Sequence, residues 1–254
     1  MITIKDEREI ELMRKAGMLV SKTHQYLKDF IKPGITTKEL DKLAEDFIRK
    51  NGGTPTQIGY EGYPNATCMS VNDTVVHGIP NDYILKDGDI LTIDMVIGYK
   101  GYQGDSAWTY KVGNITDDKK YLMEHTKNAL YEGIKEVKPG NRIGDISNAV
   151  ENYARDHNLG IVKELCGHGI GTNMHEDPDV PNYGPKGVGP RLKEGMVICI
   201  EPMLNYGGND DIYVADDEWT VKTLDHNPAA HYEHTVLVTK DGYEILTPRL
   251  EEEK

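Results

Sequence analysis

Cysteine is scarce in this 254-residue chain, and the three present, Cys68, Cys166 and Cys199, are far apart with no CxxC pair. An odd, dispersed set supports neither a disulfide framework nor a structural zinc knuckle, so reduced, buried thiols are expected. Basic residues are also in deficit, with 29 Lys and Arg against 42 Asp and Glu and a formal net charge of -13. That balance argues against nonspecific nucleic-acid binding as the main activity, because a phosphate backbone would be repelled. No apolar run reaches the roughly 18 residues that a membrane-spanning helix needs. The opening MITIKDEREIELMRKAG also lacks an apolar stretch behind a basic start. A cytoplasmic protein without DNA or membrane partners is expected. The 38% apolar and 28% charged content that remains is ordinary for a globular protein with a sizeable core.

The chain carries a faint internal duplication. Lys32-Pro33-Gly34 precedes a helical pattern with Leu40, Leu43, Ala44, Phe47 and Ile48, and Lys138-Pro139-Gly140 precedes one with Ile146, Ala149, Val150, Tyr153 and Ala154. Thr36 and Glu39 form a capping-box candidate for the first helix, and Asn51-Gly52-Gly53 supplies its stop. Longer helical stretches, 6 to 30 and 118 to 136, lead each half. Leu85-Lys86-Asp87-Gly88 and Leu192-Lys193-Glu194-Gly195 then open strands that carry Asp94 and Glu201, each six residues beyond its glycine. The expectation is one α/β (α+β) catalytic domain over 1–254, with pseudo-two-fold helix-helix-strand halves of about 1–117 and 118–254. The halves would surround a curved, mostly antiparallel sheet with helices outside and the site at the pseudo-axis. The stretches from Asp177 to Pro190 and from Asn209 to Glu218 read as surface loops.

The chemistry is written in acids placed inside apolar sequence. Asp94, Glu201 and Glu233 lie in DILTIDMVIG, MVICIEPM and HYEHTVLV, where burial is costly unless a cation pairs with the charge. On the strand after Gly88, Leu91, Ile93, Met95 and Ile97 share one face, which puts Asp94 with Thr92 and Val96 on the other. Asp105 follows beyond the turn-like Gly98-Tyr99-Lys100-Gly101, so a hairpin would return it toward Asp94. On GDS alone Asp105 would read as a turn cap; the spacing favours the site. In CGHGIGTNMHEDP, His168 and His175 stand among glycines, one suited to a metal and the other to a substrate. His77, at the end of an apolar run, reads singly as either functional or structural, and the remaining histidines read as structural. Four carboxylates and one imidazole form a hard, oxygen-rich set that suits manganese, iron(II) or cobalt, two of which could share and activate a water.

These motifs resemble the type I methionine aminopeptidases. The resemblance rests on GYEGYPNATCMSVNDTVVHGIP, DILTIDMVIGYKGYQGDSA, CGHGIGTNMHEDP, IEPM, and WTVKT with YEHTVLV, which together cover nearly the whole chain. It implies the pita-bread fold and removal of the initiator methionine from nascent proteins ahead of a small second residue. It also implies two divalent ions, cobalt, manganese or iron(II), with zinc or nickel as further candidates. Asp94, Asp105 and Glu233 match the ligands of one ion, and Asp105, His168, Glu201 and Glu233 those of the other. His77 and His175 match the substrate-contacting histidines, and Glu201 the proton shuttle. Tyr60, Tyr63, Cys68 and Trp219 match the methionine pocket, while Gln57, Met174 and Glu61 depart from the common pattern. A bacterial-type monomer acting near the ribosome is implied. An Xaa-Pro aminopeptidase or prolidase would share most of this ligand set, and a binding module could keep the fold without catalysis.

Overall fold

Asp6 and Thr36 each accept the backbone N–H of a glutamate three residues on, and Glu9 and Glu39 accept the cap N–H in return. Both amino-terminal helices, α1 (Glu7–Lys28) and α2 (Thr37–Lys50), thus open with capping boxes that satisfy end donors. In the computed structural model, which describes residues 1–250, α1 buries Met13, Ala16, Gly17, Val20 and Leu27 along one face, and α2 buries Leu40, Ala44 and Ile48. Each fully buried aliphatic side chain contributes about 1.5–3 kcal/mol, so these faces drive the docking. The end of the second half, 251–254, lies outside the described residues.

The strands of the first half are β1 (Thr54–Pro55), β2 (Cys68–Val71), β3 (Thr74–Val76), β4 (Ile90–Tyr99) and β5 (Tyr102–Lys111). The second half repeats the order with α3 (Asp117–Lys135) and α4 (Ile143–Asp156), followed by ten strands. These are β6 (Gly160–Ile161), β7 (Gly167–Gly169), β8 (Glu176–Val180), β9 (Val197–Ile200), β10 (Met203–Asn205), β11 (Ile212–Val214), β12 (Val221–Thr223), β13 (Ala229–His231), β14 (His234–Val238) and β15 (Tyr243–Ile245). The described pairings are antiparallel and fall into four ladders rather than one sheet: β1-β4-β2 with β5 on β4, β15-β14-β9-β7-β8, β13-β10-β6 and β11-β12-β3. The last joins a strand of the first half to two of the second.

The duplication is built in hydrogen bonds. Gly34 N–H donates to Leu85 O at 2.9 Å and Gly140 N–H to Leu192 O at 3.1 Å, beside the matching bridges Thr36–Ile84 and Arg142–Arg191. Both glycines sit at positive φ, 99° and 95°, which an L side chain resists. In each half the KPG turn is therefore stitched to the start of the strand that delivers Asp94 or Glu201. The two presumed loops need correction. Glu176–Val180 forms β8 against β7, where backbone pairing overrides a polar, proline-containing sequence, and Ile212–Val214, an apolar triplet within an acidic stretch, forms β11 against β12.

Helix α1 lies directly on β5. A Cβ on Gly104 would meet Gly17 N at 2.6 Å, and one on Gly17 would meet Leu246 O at 2.2 Å. Gly104 permits the approach that presses the outer helix against the strand that carries Asp105, while Gly17 makes room for Leu246.

Candidate metal centre

The β4–β5 hairpin sets Asp94 opposite Ala107 and Val96 opposite Asp105, so the two aspartates are diagonal neighbours on one face. Cys68 on β2 faces Asp94 from the other side. Glu201 follows the last residue of β9, and Glu233 precedes β14. Strand β5 is lashed to the carboxy-terminal segment at three places. Asp105 N–H donates to Thr235 Oγ1 at 3.0 Å and that hydroxyl donates to Asp105 O at 2.8 Å. Ser106 Oγ donates to Glu233 O at 2.6 Å, and Thr109 Oγ1 donates to His231 O at 2.9 Å. One acid from each half is thereby fixed at the seam.

Asp105, His168, Cys199 and Glu233 present donor atoms within 4.8 Å of one another, and Glu201, His231 and Glu233 form a second such group. Glu233 belongs to both. Asp94 stands outside these two tight groups but lines the same cavity, which also carries His77, His175, Tyr60, Tyr63, Cys68 and Trp219. Every residue singled out from the sequence therefore reaches one cleft of about 400 Å³. Sequence reasoning set His231 aside as structural and Cys199 as an inert thiol, yet both lie against the acids. His231 is brought there by pairing of β13 with β10, which places it opposite Met203. Its Nε2 is 3.5 Å from Glu201 Oε2. Alternation along β9, with Cys199 two residues before Glu201, was the available signal for the thiol.

The electrostatics of the cleft call for a cation. Burial raises the carboxyls of Asp105, Glu201 and Glu233 well above their ordinary range, and their mutual repulsion and that of Asp94 raise them further. Burial also raises Asp94, which nearby His231 partly offsets. Asp105 Oδ1 and Glu233 Oε1 are buried without a hydrogen-bond partner among the described residues. No lysine or arginine among the described residues lines the cavity. Charges so placed are costly by roughly 3–5 kcal/mol when uncompensated.

The imidazoles are held neutral. Burial lowers His77, His168 and His231 to about 4. His168 Nδ1–H donates to Gly169 O at 2.9 Å, which leaves Nε2 as a lone pair 3.7 Å from Asp105 Oδ2 and 3.5 Å from Glu201 Oε1. This is the tautomer and orientation of a metal ligand. The exposed His175 meets the Tyr60 hydroxyl through Nδ1 at 2.8 Å and packs edge-on to His168 at 4.4 Å. His77 has φ 57° and stands edge-on to Trp219 at 6.3 Å, a backbone conformation that a packed cleft has to enforce.

The sequence pattern of metallopeptidase family M24 matches residues 11–240. Methionine aminopeptidase 1 of Bacillus subtilis is 51% identical over 247 residues, which cover 97% of this chain and 99% of that protein. The solved structure of methionine aminopeptidase from Rickettsia prowazekii superposes with a TM-score of 0.96 at 42% identity, covering 98% of this chain and 100% of that one. The prolidase of Pyrococcus horikoshii OT3 has a TM-score of 0.78 at 25% identity, and the match covers 96% of this chain but 63% of the prolidase. The architecture is thus shared with both, while full-length correspondence lies with the former.

Proposed function

The chain belongs to metallopeptidase family M24, and from that membership we propose how its cleft removes an amino-terminal methionine. Its activity is that of a metal-dependent aminopeptidase acting on the amino-terminal methionine of nascent polypeptides. The oxygens of Asp105 and Glu233 that have no partner among the described residues, in a cavity that no described lysine or arginine lines, are the observation that carries the metal reading. Asp94, Asp105 and Glu233 would hold one divalent ion, and Asp105, His168, Glu201 and Glu233 the other, with cobalt, manganese, iron(II), zinc or nickel compatible. When bound, the ions would offset the crowded carboxylates, lower the pKa of a water from about 15.7 toward 7, and hold the free α-amine that an internal peptide lacks.

The chain's own groups do the rest. Glu201 accepts a proton from the attacking water and returns it to the departing nitrogen, as a carboxylate facing the cleft can. His175 donates from Nε2 to the scissile carbonyl oxygen, with Nδ1 occupied by the Tyr60 hydroxyl. His77 contacts the leaving side of the peptide bond. Tyr63, Cys68 and Trp219 give the methionine side chain an apolar, polarizable pocket, and Tyr60 closes its edge. The resemblance supports a small second residue, a cytoplasmic monomer, and action close to the ribosome. Among the described residues no helix is long and apolar enough to cross a membrane.

The test is metal-stripped protein titrated with single divalent ions on Met-Ala-Ser and on Ala-Pro. Restored cleavage of Met-Ala-Ser supports the reading; cleavage of Ala-Pro alone would overturn it in favour of a prolidase-type enzyme.

A further inference from the structure

We propose that Gln57 is a specificity-determining residue that admits glutamine as the second-choice amino-terminal residue after methionine; the proposal rests on the aminopeptidase reading above. The pocket walls are largely apolar. Tyr63 and Trp219 meet edge to face at 5.0 Å, and Cys68 and Met174 are buried beside them. Tyr63 contributes only its ring, because its hydroxyl donates to Thr67 O at 3.0 Å and approaches Gly78 O at 3.3 Å.

Gln57 is the exception. It lines the same cavity, is only 7% exposed, and has one side-chain contact, Nε2 donating to Cys68 Sγ at 3.5 Å. Sulfur is a weak acceptor, and Oε1 has no partner among the described residues. Turning the amide over exchanges which pole is unmatched but does not satisfy it. A buried amide left in this state is costly, and methionine cannot relieve it, since a thioether has no donor and accepts poorly.

A glutamine side chain is unbranched to its tip and as long as methionine, and its own amide carries both donor and acceptor. It therefore matches Gln57 in either orientation, through paired N–H···O bonds. Glutamate, equally long, would bring a further carboxylate toward Asp94, which stands opposite Cys68, and is excluded by charge. Norleucine fills the space without a hydrogen bond. A site that presents a buried polar group discriminates more sharply on that group than on an extra methylene.

The experiment compares kcat/KM for Met-, Gln- and norleucine-Ala-Ser, the Gln peptide kept uncyclised, using metal-loaded wild type, Gln57→Leu and Gln57→Met. The wild type should cleave the Gln peptide, and both variants should lower the ratio of kcat/KM for the Gln peptide to that for the Met and norleucine peptides about tenfold. No Gln cleavage by the wild type, or a parallel fall on all three peptides, would overturn the proposal. Should one variant fail to fold, the other carries the comparison. Competitive inhibition of the wild type by free glutamine against free norleucine is a check that needs no variant; weaker inhibition by glutamine would also overturn it. If the wild type cleaves none of the peptides, the aminopeptidase reading fails instead.

Discussion

Asp105→Asn should stabilise the protein without metal and abolish most of the stability that metal adds. Asp105 is 4% exposed, its Oδ1 has no partner among the described residues, and burial with Glu233, Asp94 and Glu201 holds its carboxyl well above the usual range. A carboxyl raised in the fold contributes most below its unfolded value of 3.8, and that contribution is lost as pH rises through the folded pKa. The amide has no such loss, so the variant's advantage grows with pH. Relieving an uncompensated buried charge yields roughly 1–4 kcal/mol, and about 2–4 °C in melting temperature accompanies each kcal/mol in a chain of this size. Manganese at 100 times its Kd should add about 2.7 kcal/mol to the wild type, or roughly 5–11 °C, and little to the variant. The assay is thermal unfolding in EDTA and in manganese at pH 5.0 and 7.5, with metal content measured on the same samples. His77→Ala, which removes no ligand, should keep the manganese shift. The reasoning is refuted if Asp105→Asn melts below the wild type in EDTA at pH 7.5, or if manganese raises both equally.

Three other outcomes follow from the same structure. Thr235→Val removes the hydroxyl that both accepts from Asp105 N–H and donates to Asp105 O, and should weaken metal binding about 10–100-fold by equilibrium dialysis. Gly104→Ala would force α1 off β5, since the new carbon meets backbone atoms of Ala16 and Gly17; a loss of about 1–3 kcal/mol or more should appear in chemical denaturation. His24 is buried neutral between Tyr110 and Ser106, with burial and nearby Arg249 lowering its pKa well below 6.5. Its stabilisation is present above pH 6.5 and lost as pH falls below, by up to about 1.4 kcal/mol per unit. The stability difference between wild type and His24→Gln should therefore shrink from pH 7.5 to pH 5; a constant difference would contradict the assignment.

Asp94, Glu201 and Glu233 were legible because each breaks an apolar strand pattern. Asp94 against Leu91, Ile93 and Met95 fixes its face, and the Gly98–Gly101 turn fixes the return to Asp105, as the register bears out. The capping box at Thr36 and the KPG repeat were equally local signals. Less legible were features made by partners distant in the chain. His231 becomes part of the cleft only through β10, and β8 is a strand only because β7 lies beside it, despite Pro178 and its acidic neighbours. The pocket residues Tyr60, Tyr63, Cys68 and Trp219 have no common period and came from the resemblance alone.

The stitching of Asp105, Ser106 and Thr109 to Thr235, Glu233 and His231 has a consequence for synthesis of the chain. A growing polypeptide that has exposed Asp94, Asp105, His168 and Glu201 still lacks the acid shared by both donor groups. Neither donor group is then complete until Glu233 has been made. A truncation ahead of Glu233 would leave Asp94, Asp105 and Glu201 crowded together without the acid common to both donor groups and without its contact to Ser106.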